Sequence, residues 1–166
     1  MKNFIIWFGL FLFVIIPGCT ASKDLQKAEK AANEAALREA IANRSFVVEV
    51  NRALPMNMSS RMLNSSYTLT VNGNSMKSHL PYFGRAYSVA YGGGEGLIFD
   101  AVILDYELSL DKKGKALITF NAESKEDRFA FRIHILPNGS SSIEVTSMNR
   151  QPISFNGKAF LLSKEK

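Results

Sequence analysis

The chain has 166 residues, 46% of them apolar and 21% charged, with a formal net charge of +5. That size and balance fit one globular domain and exclude a disordered or fibrous chain. The basic residues are scattered, no run exceeds Lys112-Lys113, and acidic residues are interspersed, so the clustered footprint that nucleic acid requires is missing.

The chain opens with a short positive segment, Met1-Lys2-Asn3, followed by an apolar run of 13 residues from Phe4 to Ile16. Such a run is too short to span a bilayer, which takes about 20 apolar residues, and it has the layout of a secretory signal peptide. It ends at Ile16-Pro17-Gly18-Cys19, where a small residue directly before the single cysteine resembles the lipobox of bacterial lipoproteins. That resemblance implies diacylglyceryl transfer to the Cys19 thiol, cleavage after Gly18, acylation of the new amino terminus, and attachment to the membrane through the lipid on Cys19. One cysteine also rules out an internal disulfide. The expected organisation is a signal peptide over 1–18, a lipidated cysteine and helical stalk over 19–44, and one antiparallel β domain over 45–166.

Ser22 to Asn43 is rich in alanine and has no Gly or Pro, so its helix propensity is high throughout. Glu34 and Arg38 are spaced to pair on one face. The apolar face, Leu25, Ala28, Ala32, Ala35, Leu37 and Ile41, is thin. Such a helix is either a stalk between membrane and domain or a lightly docked N-terminal helix, and the stalk is the expectation here.

From Ser45 the period changes to two, with Phe46, Val48 and Val50 alternating against Val47, Glu49 and Asn51. Arg52 to Ser66, with Pro55 and several Ser and Asn, looks irregular. Tyr67, Leu69 and Val71 then lead into Asn72-Gly73, a hairpin signal, with Met76 and Leu80 on the return strand. Leu97 to Leu110 is long, apolar on both faces at first, and suited to bending across a sheet. After a turn at Asp111 to Gly114 come Ala116, Ile118 and Phe120, then Phe129, Phe131, Ile133 and Ile135 in the cleanest alternation of the chain. Pro137-Asn138-Gly139 turns this strand back to Ile143 and Val145. A last pair, Ile153 and Phe155 then Phe160 and Leu162, is joined at Asn156-Gly157. The sum predicts a mainly β fold, an antiparallel β-sandwich or partly open barrel, preceded by one N-terminal α-helix.

His79 through Gly96 departs from this alternation, with Pro81, the aromatics Tyr82, Phe83, Tyr87 and Tyr91, Arg85, and the glycines of Tyr91-Gly92-Gly93-Gly94-Glu95-Gly96. Aromatics with one arginine are the composition of a binding surface, which makes Tyr82, Phe83, Arg85, Tyr87 and Tyr91 the candidate ligand-binding residues. The competing structural role has Tyr82 and Phe83 plugging one barrel end while Arg85 pairs with Asp100 or Glu95 and holds the loop closed. The glycine cluster lacks the Lys-Ser or Lys-Thr of a phosphate loop and leads into a strand. His79 and His134 have no metal-ligand spacing, so no metal and no cofactor is expected. Asp100, Asp105 and Glu107 could serve a hydrolase only if two of them faced one another across a substrate, and a solvated outward face is the simpler account.

Leu80-Pro81-Tyr82-Phe83-Gly84-Arg85-Ala86-Tyr87, the glycine loop, Gly96-Leu97-Ile98-Phe99, and Arg150 to Gly157 together resemble the signature of a Bacteroidetes lipoprotein family, the one catalogued as domain of unknown function 4251. The resemblance covers roughly 45–162 and carries over no catalytic residue. It implies a β-rich domain in the cell envelope, an outer-membrane lipoprotein facing periplasm or cell surface. Non-catalytic binding of an envelope protein or glycan is the leading expectation. An envelope hydrolase and a structural subunit of an outer-membrane assembly are the alternatives.

Overall fold

A computed structural model describes residues 21–87, 96–124 and 127–162. One helix, α1 (Ala21–Ala42), precedes β1 (Ser45–Pro55), β2 (Arg61–Asn72), β3 (Ser75–Leu80), β4 (Leu97–Leu110), β5 (Ala116–Glu123), β6 (Arg128–Ile135), β7 (Ser140–Ser147) and β8 (Ile153–Leu161). Every strand pairs antiparallel with its sequence neighbour, and β1 also pairs with β8 from Phe46↔Leu161 to Pro55↔Ile153. The chain is therefore mainly β with one N-terminal helix, and the sheet is a closed eight-stranded barrel, neither a sandwich nor partly open.

Two bulges make closure possible. In β1 the buried set runs Phe46, Val48, Val50 and then switches to Ala53 and Pro55, because the register shifts between Val50 and Arg52. In β4 the core-facing set changes from Leu97, Phe99, Ala101 and Ile103 to Tyr106 and Leu108 across a shift between Leu104 and Glu107. Asp105 takes up the extra residue at φ 51°. A bulge bends a strand and resets its parity, so a long strand can turn a barrel corner and keep its apolar side inward. The switch explains why Tyr106 and Leu108 continue the buried row after Ile103, whereas Ile98 and Val102, apolar on the other face, precede it and are 49% and 63% exposed.

The turns at 111–114 and 137–139 are present, closed by Gly114 N–H to Asp111 O at 3.1 Å and Gly139 N–H to Leu136 O at 2.9 Å. Two other segments differ from expectation. Arg52 to Ser66 is not a loose loop: β1 runs on to Pro55, and Arg61 and Met62 pair with Ala53 and Arg52. Asn156-Gly157 is not a turn but the middle of β8, so that Ala159 faces inward while Phe160 is 38% exposed. Gly157 stands opposite Val50 beside the β1 bulge. A Cβ there would fall on the Glu49 carbonyl oxygen and 2.8 Å from Val50 Cα, so glycine answers a close backbone approach.

Inward side chains from all eight strands fill the lumen, among them Phe46, Phe131 and Phe155. Tyr106, Phe120 and Phe131 stack in series, with centroids 6.1 and 5.1 Å apart. The outward face carries Glu49, Thr70, Lys77, Asp100, Arg132 and Glu144, the reverse of a lipid-facing barrel, whose outer band is apolar. Among the described residues no helix is long and apolar enough to cross a membrane.

Helix α1 lies at the rim that holds the turns 73–74, 111–115 and 136–139. Leu37, Ala40 and Ile41 are buried there, and Leu37 and Ile41 join the barrel core, whereas 25–33 are exposed. The last turns of α1 thus pack with the barrel, and the exposed stretch 25–33 precedes them. Glu34 pairs with Lys30 at 3.9 Å rather than with Arg38. Among the described residues all core side chains fall between Leu37 and Ala159, so a chain beginning at Ala21 contains every one of them. Gly157→Ala is expected to lower unfolding stability by about 2 kcal/mol or more, measured by denaturant titration against the exposed control Asn156→Ala.

Candidate functional site

The opposite rim carries 56–60, 81–87 with Gly96, Ser124 with Asp127, and 148–152. Leu80 and Leu97 form the last pair of β3 and β4. Pro81 follows, and having no N–H it cannot extend the ladder. Residues 81–87 instead reach the β7–β8 loop, which lies across the ring of eight strands from β3. Ala86 forms an isolated bridge with Arg150. Tyr87 N–H donates to Asn149 O at 2.7 Å and Gln151 N–H donates to Arg85 O at 3.0 Å. The Arg85 N–H donates to Gln151 Oε1 at 3.3 Å. This short ladder makes the segment a strap across the barrel mouth.

Two side chains fix the strap from within. The half-buried Tyr82 hydroxyl shares its proton between the carbonyl oxygens of Arg85 and Gln151, each 3.0 Å away. Arg150 donates to Gly96 O at 3.1 Å and holds its guanidinium 5.3 Å from the centroid of the Tyr82 ring. It thereby ties the outgoing limb of the 81–96 loop to the returning one. Gly96 has φ 84°, and a Cβ there would meet Leu80 O at 2.8 Å, so the return beside β3 requires glycine. Phe83 is half-buried, packs on the core, and lies 5.0 Å beneath the Arg61 guanidinium. Burial pushes the Tyr82 phenol above its ordinary pKa of 10.0, against the opposing pull of the Gln151 contact and the Arg150 charge.

The candidate ligand-binding residues therefore divide. Tyr82 and Phe83 face inward and support the mouth. Arg85 and Tyr87 flank the inward-facing Ala86 and are exposed, Tyr87 to 65%. Arg85 does not pair with Asp100, which instead faces Lys77 at 3.6 Å. Glu95, Tyr91 and Cys19 lie outside the described residues. The arginine that holds the loop is Arg150.

Sequence reasoning also missed the methionines. Met56, Met58, Met62 and Met148 are 68%, 49%, 63% and 90% exposed, all on the loops and strand ends of this rim. The available signal was Met56-x-Met58 in a segment with no other large apolar residue before Met62.

The acidic residues do not assemble with this mouth. Asp105 and Glu107 line a shallow depression of about 290 Å³ on the outer wall with Asn121, Arg132 and Glu144. Asn121 donates to Asp105 at 3.4 Å, and Arg132 pairs with Glu144 at 3.5 Å. Asp100 stands elsewhere, and His79 is exposed beside the Tyr67 ring at 5.4 Å. His134 is on the outer face of β6. Among the described residues no three His, Cys, Asp or Glu side chains gather to hold a metal.

A family model described as Domain of unknown function (DUF4251) matches residues 28–159. The chain is similar to a DUF4251 family protein of Bacteroides eggerthii known from a crystal structure, with a TM-score of 0.62 at 18% identity, over 82% of this chain and 94% of that one. At that identity the likeness concerns the fold. No curated protein matches the chain.

Because the folded state favours the neutral Tyr82 phenol, its contribution is fully present below pH 10 and is lost as pH rises through the raised value. Thermal unfolding measured between pH 9 and 11 is expected to show a falling transition temperature whose slope is shallower in Tyr82→Phe. An identical slope in the variant would contradict the placement of that hydroxyl.

Proposed function

The chain belongs to the family described as Domain of unknown function (DUF4251), and on that premise we propose that it is a non-catalytic cell-envelope lipoprotein that binds an envelope protein or glycan through its strapped mouth. The observation that carries this reading is the exposure of Arg85 and Tyr87 on a backbone held by the ladder to 149–151. Both side chains are presented without the ordering cost of a free loop. Around them stand Phe83, Arg61 and the exposed methionines, and arginine, methionine and aromatic residues are the types enriched at interfaces.

The position of α1 supports the same reading. In sequence Cys19 lies two positions before Ala21, the first residue of α1, whose last turns dock at the other rim. A lipid on Cys19 would leave the mouth on the side away from the membrane. The hydrolase alternative finds less support, because Asp100 and His79 stand apart from the shallow depression that Asp105 and Glu107 share, and that depression is away from the mouth. One observation favours the structural-subunit alternative: Leu63 to Ser66 pair with neither β1 nor β3 and leave a stretch of strand edge for an added partner strand.

In-cell photocrosslinking from position 87, followed by mass spectrometry, tests the proposal. A specific partner is expected whose yield falls about tenfold in Arg85→Ala with the unfolding temperature unchanged. An identical captured set in Arg85→Ala would overturn it, and capture from position 65 alone would favour the subunit.

A further inference from the structure

The two rims display different sets of cations. At the mouth the described basic residues are Arg61, Arg85, Arg128 and Arg150; at the α1 rim lysines, Lys112, Lys113 and Lys115 in the β4–β5 turn and Lys158 on β8, stand with Arg38 and Arg44. None of these four lysines forms an ion pair with a described residue. The acidic member of their turn, Asp111, is occupied otherwise, accepting the backbone N–H groups of Lys113 and Lys115 at 2.8 Å each.

Apolar side chains stand beside the lysines. Leu136, Phe160 and Leu161 are 38%, 38% and 50% exposed, and the Lys158 ammonium lies 5.5 Å from the Phe160 ring centroid. Helix α1 separates two grooves whose walls carry these groups: Lys112, Lys113, Arg38 and Leu136 line one, and Lys158, Phe160 and Leu161 line the other, with Glu34 on both and Glu29 on the second contributed by the helix itself. Exposed leucine and phenylalanine next to unpaired lysines on both sides of one helix make an amphipathic surface.

We infer that this rim is a membrane-contact surface that takes an anionic phospholipid bilayer, with Lys112, Lys113 and Lys158 at the headgroup phosphates and Leu136, Phe160 and Leu161 at the acyl boundary. Lysine fits that partner because its ammonium is a point charge on a flexible apolar stem, which can lie along the protein while the head reaches a phosphate. Basic side chains attract anionic lipid over about a Debye length, and partly inserted apolar groups add an area-dependent term. The arginine, tyrosine and methionine of the other rim lack this pairing and suit a protein partner instead.

The inference does not rest on acylation of Cys19, because it can be measured on a chain beginning at Ala21, which holds every described core side chain. Co-sedimentation with vesicles of phosphatidylcholine alone, or with added phosphatidylglycerol, provides the test. Binding is expected only with phosphatidylglycerol and is expected to fall as salt rises. Lys112→Glu/Lys113→Glu should weaken it by at least about tenfold, and the turn should persist because Asp111 bonds to backbone groups. The charge-matched Arg61→Glu/Arg128→Glu, at the mouth, should bind as the parent chain does. Absence of binding to the anionic vesicles, or equal weakening by both double variants, would overturn the inference. Neither result bears on whether Cys19 is acylated or the mouth binds a partner.

Discussion

Closure of β1 onto β8 is the constraint on which the rest of the structure depends. An open eight-stranded meander would leave two free edges and a half-exposed apolar face; the Phe46-to-Pro55 ladder with β8 removes both edges and turns every inward row into core. That ladder requires β1 to bend at Asn51 and β8 to approach it within backbone distance, which Gly157 permits. Closure also creates a new demand. A barrel filled with apolar side chains has two ends, and each must be covered.

The chain covers them in different ways. At one end the last turns of α1 insert Leu37 and Ile41. At the other, a strap leaves β3 at Pro81, crosses to 149–151, and is tied by Tyr82 and Arg150. A closure made mostly of backbone bonds and inward side chains leaves the alternate positions, Arg85 and Tyr87, free to point outward. The structural and binding accounts of this loop thus apply to different residues of the same segment. The two covered ends then acquire different chemistry, lysine with leucine and phenylalanine around α1, arginine with methionine and tyrosine around the strap.

Much of the fold was legible where one face is buried and the strand is straight. The Phe129, Phe131, Ile133, Ile135 alternation gives β6 with no exception, because period two translates directly into inside and outside. Legibility failed where that translation breaks. In 61–66 three residues more than β1 supplies are accommodated between Met62 and Tyr67, so no alternation survives to mark the strand. At Asn156-Gly157 a dipeptide typical of hairpins serves a close backbone approach, a reason visible only once β1 is in place. Closure itself is a pairing between 46–55 and 153–161, and no local signal encodes it. Arg85 and Arg150 look alike in sequence; which one turns inward depends on the ladder between their two loops. The candidate site was found as a segment, and its division into supporting and displayed residues required the tertiary contacts.

The strap is a fixed part of the barrel, held by Arg150, rather than a free loop. Amide hydrogen exchange at Tyr87 and Gln151 tests it most directly, since these N–H groups form the ladder to Asn149 and Arg85. Both amides should exchange far more slowly than unstructured amides in the wild-type chain. In Arg150→Ala they should lose that protection while the amides of β6 keep theirs. Unprotected exchange at Tyr87 and Gln151 in the wild type, or protection unchanged in Arg150→Ala, would contradict the account.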